Sequence, residues 1–177
     1  MPLGQRFDAQ KATEAILYVT SRVQDPSFHR IAKILYFADK HKLADCGSLV
    51  IADEYVAMKH GPVPSAVYDL LKAVRGDGNH AAVRIAGSAF QVVGRCRITP
   101  RREANVDYFS KADVKSLDFA IREFGHLPFD ELTRLSHDSA WDSADENEFM
   151  SLEDIARATS APDHALAAVR DRFSIAS

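Results

Sequence analysis

Cysteine is nearly absent: Cys46 and Cys96 are the only two in 177 residues, and they form no CxxC pair. Their flanks show no disulfide framework, so a reducing cytoplasm is the expected setting. No stretch approaches the roughly 18 consecutive apolar residues of a membrane span. The opening residues MPLGQRFDAQKATEAI lack the apolar core of a secretory leader. Also missing are GxSxG, the Walker loop, GxGxxG and HExxH. The seven histidines, His29, His41, His60, His80, His126, His137 and His164, include no pair spaced for zinc beside a cysteine. No metal and no organic cofactor is therefore expected. Basic charge is not in excess either. A net charge of −3 offers no global reason to expect nucleic acid or an anionic membrane as partner.

What is present is a chain with 46% hydrophobic and 27% charged residues, long enough for one domain with a real core. Ala9, Ala12, Ile16, Val19 and Val23 recur at helical spacing and predict a first helix, ended by Asp25-Pro26. Pro26 suits the first turn of a second helix, striped by Phe28, Ile31, Ile34, Leu35 and Ala38 and stopped by Gly47. Leu49–Ile51 and Tyr55–Met58 read as short extended segments around the polar turn Asp53-Glu54. Lys59-His60-Gly61-Pro62-Val63-Pro64 reads as a stiff, directed loop. Pro64 opens a third helix carrying Val63, Val67, Leu70, Leu71 and Val74, which ends at Gly76-Asp77-Gly78. Residues 82–98, with Val83, Ile85, Phe90, Val92, Val93 and Ile98 around Gly87-Ser88, suggest a β-hairpin. Ser110 with Asp113 marks the start of a further helix, striped by Val114, Leu117, Ile121 and Phe124 and ended by Gly125. Pro128 begins a short helix with Phe129, Leu132 and Leu135. After Trp141 comes an acidic connection with Asp142, Asp145, Glu146 and Glu148. Ser151 caps another short helix with Ile155, and a last one from Pro162 carries Leu166, Val169 and Phe173. These readings predict one α+β domain over 1–177, mainly α-helical, with a small β-hairpin or sheet in mid-chain. The C-terminal helices at 151–173 are expected to pack onto the rest.

Two chemistries other than protein binding are open on these residues. An enzyme with an unfamiliar site draws on His60, Asp39 and His137. A nucleic-acid-binding regulator draws on Arg95, Arg97, Arg101 and Arg102, the one basic concentration. His60 reads either as a contact or general base held on a rigid loop, or as a hydrogen-bonded residue that pins the turn. The arginine segment reads rather as a solvated strand face followed by a polar loop, because the acidic net charge gives it no wider basic footprint. A protein-binding module needs exposed aromatic, methionine or basic anchors. The candidates are Tyr36, Tyr55, Met58, Lys59, His60 and Tyr68, grouped around the rigid loop.

Ile34-Leu35-Tyr36-Phe37-Ala38-Asp39-Lys40, followed by Tyr55-Val56-Ala57-Met58-Lys59-His60-Gly61-Pro62-Val63-Pro64-Ser65-Ala66-Val67-Tyr68, resembles the signature of the Panacea domain. That is the SocA-like antitoxin family, found also among phage-associated proteins. Glu131-Leu132-Thr133, then Ser136-His137 through Ala140-Trp141, resembles the family's downstream motif. The resemblance covers about residues 10–145. It implies a mainly helical domain that neutralises a co-encoded protein toxin by direct binding, with a protease system as a second partner where the toxin is delivered for degradation. It implies no cofactor and no catalytic residue, and it does not reveal which toxin.

Overall fold

The computed structural model describes residues 7–174; the side chain of Phe173, read above as an apolar anchor, lies outside what is described. The protein is 57% helical, with two small antiparallel two-stranded sheets among the described residues. This is the mainly helical α+β fold expected.

Helix α1 (Ala9–Thr20) starts at Asp8, whose carboxylate accepts from the Gln10 and Lys11 N–H groups. Helix α2 (Phe28–Cys46) is capped by Ser27, whose hydroxyl accepts from the Arg30 N–H at 3.2 Å. Pro26, expected in the first turn, stands just outside the cap, where its carbonyl accepts from the Ile98 N–H. The buried residues of α2, among them Ile31, Ile34, Leu35, Tyr36, Ala38 and Leu43, lie all round its axis. That is the pattern of a central helix rather than an amphipathic one. Burying each of Ile31, Ile34, Leu35 and Leu43 contributes roughly 1.5–3 kcal/mol by removing it from water.

Most of the other helices pack around this axis. From α5 (Lys111–Phe124), Phe124 stacks on Phe37 at 3.9 Å and Phe119 on His41 at 4.1 Å. Ser110 and Asp113 close a capping box at its start, as the sequence indicates. Asp113 is also buried between Lys11 at 2.8 Å and Lys42 at 2.5 Å, tying α1, α2 and α5 together. Burial pushes its carboxyl up, but the two ammonium groups and the Ser110 N–H outweigh this and hold it below the usual range. α2 ends at Gly47, with φ +65°, where an added Cβ would stand 2.4 Å from the Ala168 Cβ of α9 (Pro162–Ser174).

Two expectations about β-structure need correction. Leu49–Ile51 is not a strand. It is a buried irregular turn whose backbone is held by side chains: Asp39 accepts from the Val50 N–H at 2.6 Å and Lys42 donates to the Leu49 carbonyl. Residues 82–98 are not one hairpin. Val83–Ala89 form helix α4, with Gly87-Ser88 inside it rather than at a turn. The hairpin runs from β3 (Phe90–Val93) to β4 (Arg97–Pro100). Val83 and Ile85 alternate like strand residues, yet Ala82, Ala86, Ala89 and Phe90 recur at helical spacing and are the ones buried, whereas Ile85 is 41% exposed.

The Lys59–Pro64 stretch is half strand. β1 (Tyr55–Met58) pairs with β2 (Gly61–Pro64) across the turn Lys59-His60. Val63, expected on helix α3 (Ser65–Arg75), therefore belongs to β2. The remaining elements are a 3-10 turn at Val106–Tyr108, α6 (Phe129–Ser136), α7 (Ser139–Asp142) and α8 (Leu152–Arg157).

Candidate functional site

The β1–β2 hairpin is the feature on which the signature-like residues converge, and its backbone shows how it is held. Pro62 and Pro64 stand opposite Ala57 and Tyr55. Neither Ala57 nor Tyr55 needs an N–H from β2, because their backbone groups bond to residues 147–150 on the other edge of β1. Prolines are therefore tolerated at these two positions. Gly61 takes φ +96° directly after the two-residue turn Lys59-His60, a backbone conformation that favours glycine. An added Cβ there would lie 2.3 Å from the Ser136 Oγ and 3.1 Å from the Lys33 Nζ.

Lys33 lies in α2, fully buried, with its ammonium donating to the Pro62 carbonyl at 2.8 Å. That carbonyl faces away from β1, so Lys33 satisfies the outward edge of the hairpin and fastens it to the central helix. No carboxylate accompanies it among the described residues, and burial pushes its pKa down to about 7.

Two further anchors come from the Tyr36–Lys40 stretch. The Tyr36 hydroxyl donates to Asp138 at 2.9 Å and Lys40 pairs with the same carboxylate at 2.5 Å. Asp138 in turn caps α7 through the Ala140 and Trp141 N–H groups. Trp141 donates its indole N–H to the Met58 carbonyl at 2.9 Å, and His137 stacks on its ring at 3.7 Å. The Tyr55 hydroxyl donates to Asp39 at 2.9 Å. Burial raises Asp39 to about 6 and lifts both tyrosines well above their usual range.

These contacts correct part of the expected contact surface. Tyr36 is 0% exposed and Tyr55 2%, so both are core residues that hold the hairpin and offer no surface to a partner. The other four candidates are brought together. Met58, Lys59, His60 and Tyr68 line one groove of about 830 Å³, between the hairpin, the start of α2 and the start of α6. Phe28, His29, Lys33, Arg75, Arg95 and Phe129 are among the other residues that line it. Phe129 lies against the rings of His29 at 3.9 Å and His60 at 5.4 Å, and is still 46% exposed. Burial, with Lys33 and His60 nearby, pushes His29 down to about 3, which keeps it neutral across the physiological range. A smaller cleft beside the groove joins Lys59 to Trp141 and Glu146.

Of the residues suspected of catalysis, His60 and His137 lie within electrostatic reach of each other and of Lys33, while Asp39 is held apart from them. Asp39 is sealed in the core by Tyr55 and Val50, His137 lies flat on Trp141, and His60 faces Phe129. Of the arginines suspected of gripping phosphate, Arg102 makes a two-point pair with buried Glu14, Arg97 reaches Asp25 at 3.4 Å and Arg101 bonds to Gln91. Arg95 alone opens onto the groove. No group of three or more His, Cys, Asp or Glu among the described residues is placed to hold a metal ion. No described helix is long and apolar enough to cross a membrane.

Sequence reasoning passed over Phe28, His29, Lys33 and Phe129. No local signal marks Lys33: at helical spacing it falls on the side of α2 away from the stripe of Ile31, Ile34, Leu35 and Ala38, where a lysine reads as solvated. Phe28, His29, Ala32 and Lys33 share one face of α2, a grouping that matters only once the hairpin is known to cover it.

Residues 31–142 match the model of the family described as antitoxin SocA-like, Panacea domain. No curated protein and no solved structure matches the chain. The matched stretch begins inside α2 and ends with α7, so it contains the hairpin, all three of its anchors and most of the groove lining. A match over well more than half the chain settles its membership: it belongs to the SocA-like antitoxin family, as a Panacea-domain protein.

Proposed function

We propose that the protein is a cytoplasmic antitoxin that binds a co-encoded protein toxin directly, through the face formed by the tip of the β1–β2 hairpin and the groove beside it. The observation that carries this reading is the family match over residues 31–142. The groove supports it, because Met58, Lys59, His60, Tyr68 and Phe129 combine the flexible apolar, aromatic and basic side chains that interfaces favour. The hairpin is fixed to α2 and α7 by hydrogen bonds, so little conformational freedom is lost when a partner docks.

The test is co-expression. A neighbouring reading frame whose product arrests growth alone should be harmless with this protein, and the two should purify together. Arrest that persists with soluble protein present overturns the proposal. A chase experiment then separates two modes. A toxin of unchanged lifetime in the complex is blocked by occupation, whereas one whose lifetime shortens only with the antitoxin present is handed to a protease.

A further inference from the structure

The charge of the groove does not follow that of the molecule. The chain carries a net charge of −3, yet Lys33, Lys59, Arg75 and Arg95 line the groove and no Asp or Glu does. Two of these cations have internal partners: Lys33 bonds to the Pro62 carbonyl, and Arg75 to Asp77 and the Arg95 carbonyl. Lys59 and Arg95 have no ion-pair partner among the described residues. The rest of the lining is largely apolar, with Phe28, Met58 and Tyr68 beside the half-exposed ring of Phe129.

Resting on the antitoxin reading above, we propose that this groove receives a segment of the partner protein in which carboxylates flank an aromatic or large aliphatic side chain. The apolar side chain packs against Met58, Tyr68 and Phe129, and the carboxylates meet Lys59 and Arg95. Opposite charge across the contact speeds encounter and rejects basic sequences, while the buried ring supplies most of the affinity. A peptide segment suits this surface better than a small anion does. The unpaired cations stand on separate turns, Lys59 at the tip of β1–β2 and Arg95 between β3 and β4, and α2, α3 and α6 contribute apolar lining.

The full chain, immobilised, is panned against a random-peptide display library, and enriched peptides are made with a fluorescent label for anisotropy titration. Enriched peptides should pair Asp or Glu with Phe, Trp, Leu or Ile and should bind more weakly as salt rises. The double variant Lys59→Glu, Arg95→Glu should weaken binding at least about tenfold. Lys111→Glu, on α5 and away from the groove, should leave it unchanged. Circular dichroism of each variant checks that it folds. Enrichment of basic or uncharged peptides, no enrichment at all, or equal binding by the double variant overturns the proposal. Saturable binding of ATP without any peptide enriched assigns the groove to a small anion and overturns it as well. Panning needs no toxin, so its failure is distinct from failure of the co-expression test.

Discussion

Lys33 and Gly61 meet at the base of the hairpin, and each has a consequence that can be measured. Lys33 titrates near 10.5 when exposed and near 7 in the fold. Between those values the unfolded chain holds a proton that the folded chain has released, so the contribution of Lys33 to stability rises with pH over that window. Its burial penalty is complete below about 7. Urea midpoints taken from pH 7 to pH 9 should therefore climb more steeply for wild type than for Lys33→Met. Parallel curves would show that the ammonium is not held as described. Gly61→Ala combines a left-handed backbone with a Cβ 2.3 Å from the Ser136 Oγ. Strain and overpacking together should cost about 2–4 kcal/mol in chemical denaturation. A loss under about 0.5 kcal/mol, the ordinary scatter of surface changes, would contradict the turn geometry.

At the scale of elements, caps separate what is local from what is not. Ser110 and Asp113 sit three residues apart and their capping box is legible in the sequence, as is Ser151, whose hydroxyl accepts from the Asp154 N–H. The start of α3 is different. Pro64 has no side chain to cap it, and the carboxylate comes from Asp53, before the hairpin, accepting from the Ala66 and Val67 N–H groups at 3.0 and 2.8 Å. In the sequence Asp53 looks like an ordinary turn residue, because nothing local shows that β1 and β2 fold back to bring it there. Asp53→Ala should cost about 1–2 kcal/mol by urea titration, and Asp53→Asn less, since the amide oxygen still accepts. If Ala and Asn prove equal to wild type, α3 is not capped from that distance. The misplaced hairpin at residues 82–98 has a related cause. In a short run, helical and strand periodicities coincide, and only the burial of Ala86, Ala89 and Phe90 decides between them.

At the scale of the whole molecule, the hairpin is held by Lys33, by Trp141, by the Tyr55 bond to Asp39 and by the strand edge at 147–150, with its tip left in solvent. Lys59→Glu and His60→Ala change that tip without touching a support, so both should melt near wild type and weaken neutralisation of the toxin. Full protection by both variants across a range of toxin expression would move the interface elsewhere. Trp141→Phe is the complementary case. It keeps a ring for His137 to stack on but removes the donor to the Met58 carbonyl, so it should cost about 1–3 kcal/mol in stability. A melting temperature equal to wild type would mean that the hairpin does not depend on this bond.

Most helix positions, though not those of α4 and α7, together with most helix ends, the mainly helical class and the family resemblance, rest on residues close together in the chain, and the sequence alone determined them. Periodicity, caps and breakers act over a few residues, where backbone geometry is nearly independent of the remainder. What only the tertiary structure decided is which of the signature residues face solvent. Tyr36 and Tyr55 look like aromatic anchors in the sequence, but their hydroxyls find Asp138 and Asp39 in the interior. Phe129 looks like part of a buried stripe but stays half exposed beside two histidines. The groove joins residues from Phe28 to Asn147 in the chain. Its shape and its lack of carboxylates follow from how the hairpin docks on α2. That docking is a balance of buried hydrogen bonds and apolar area summed over distant segments, and no local pattern records it.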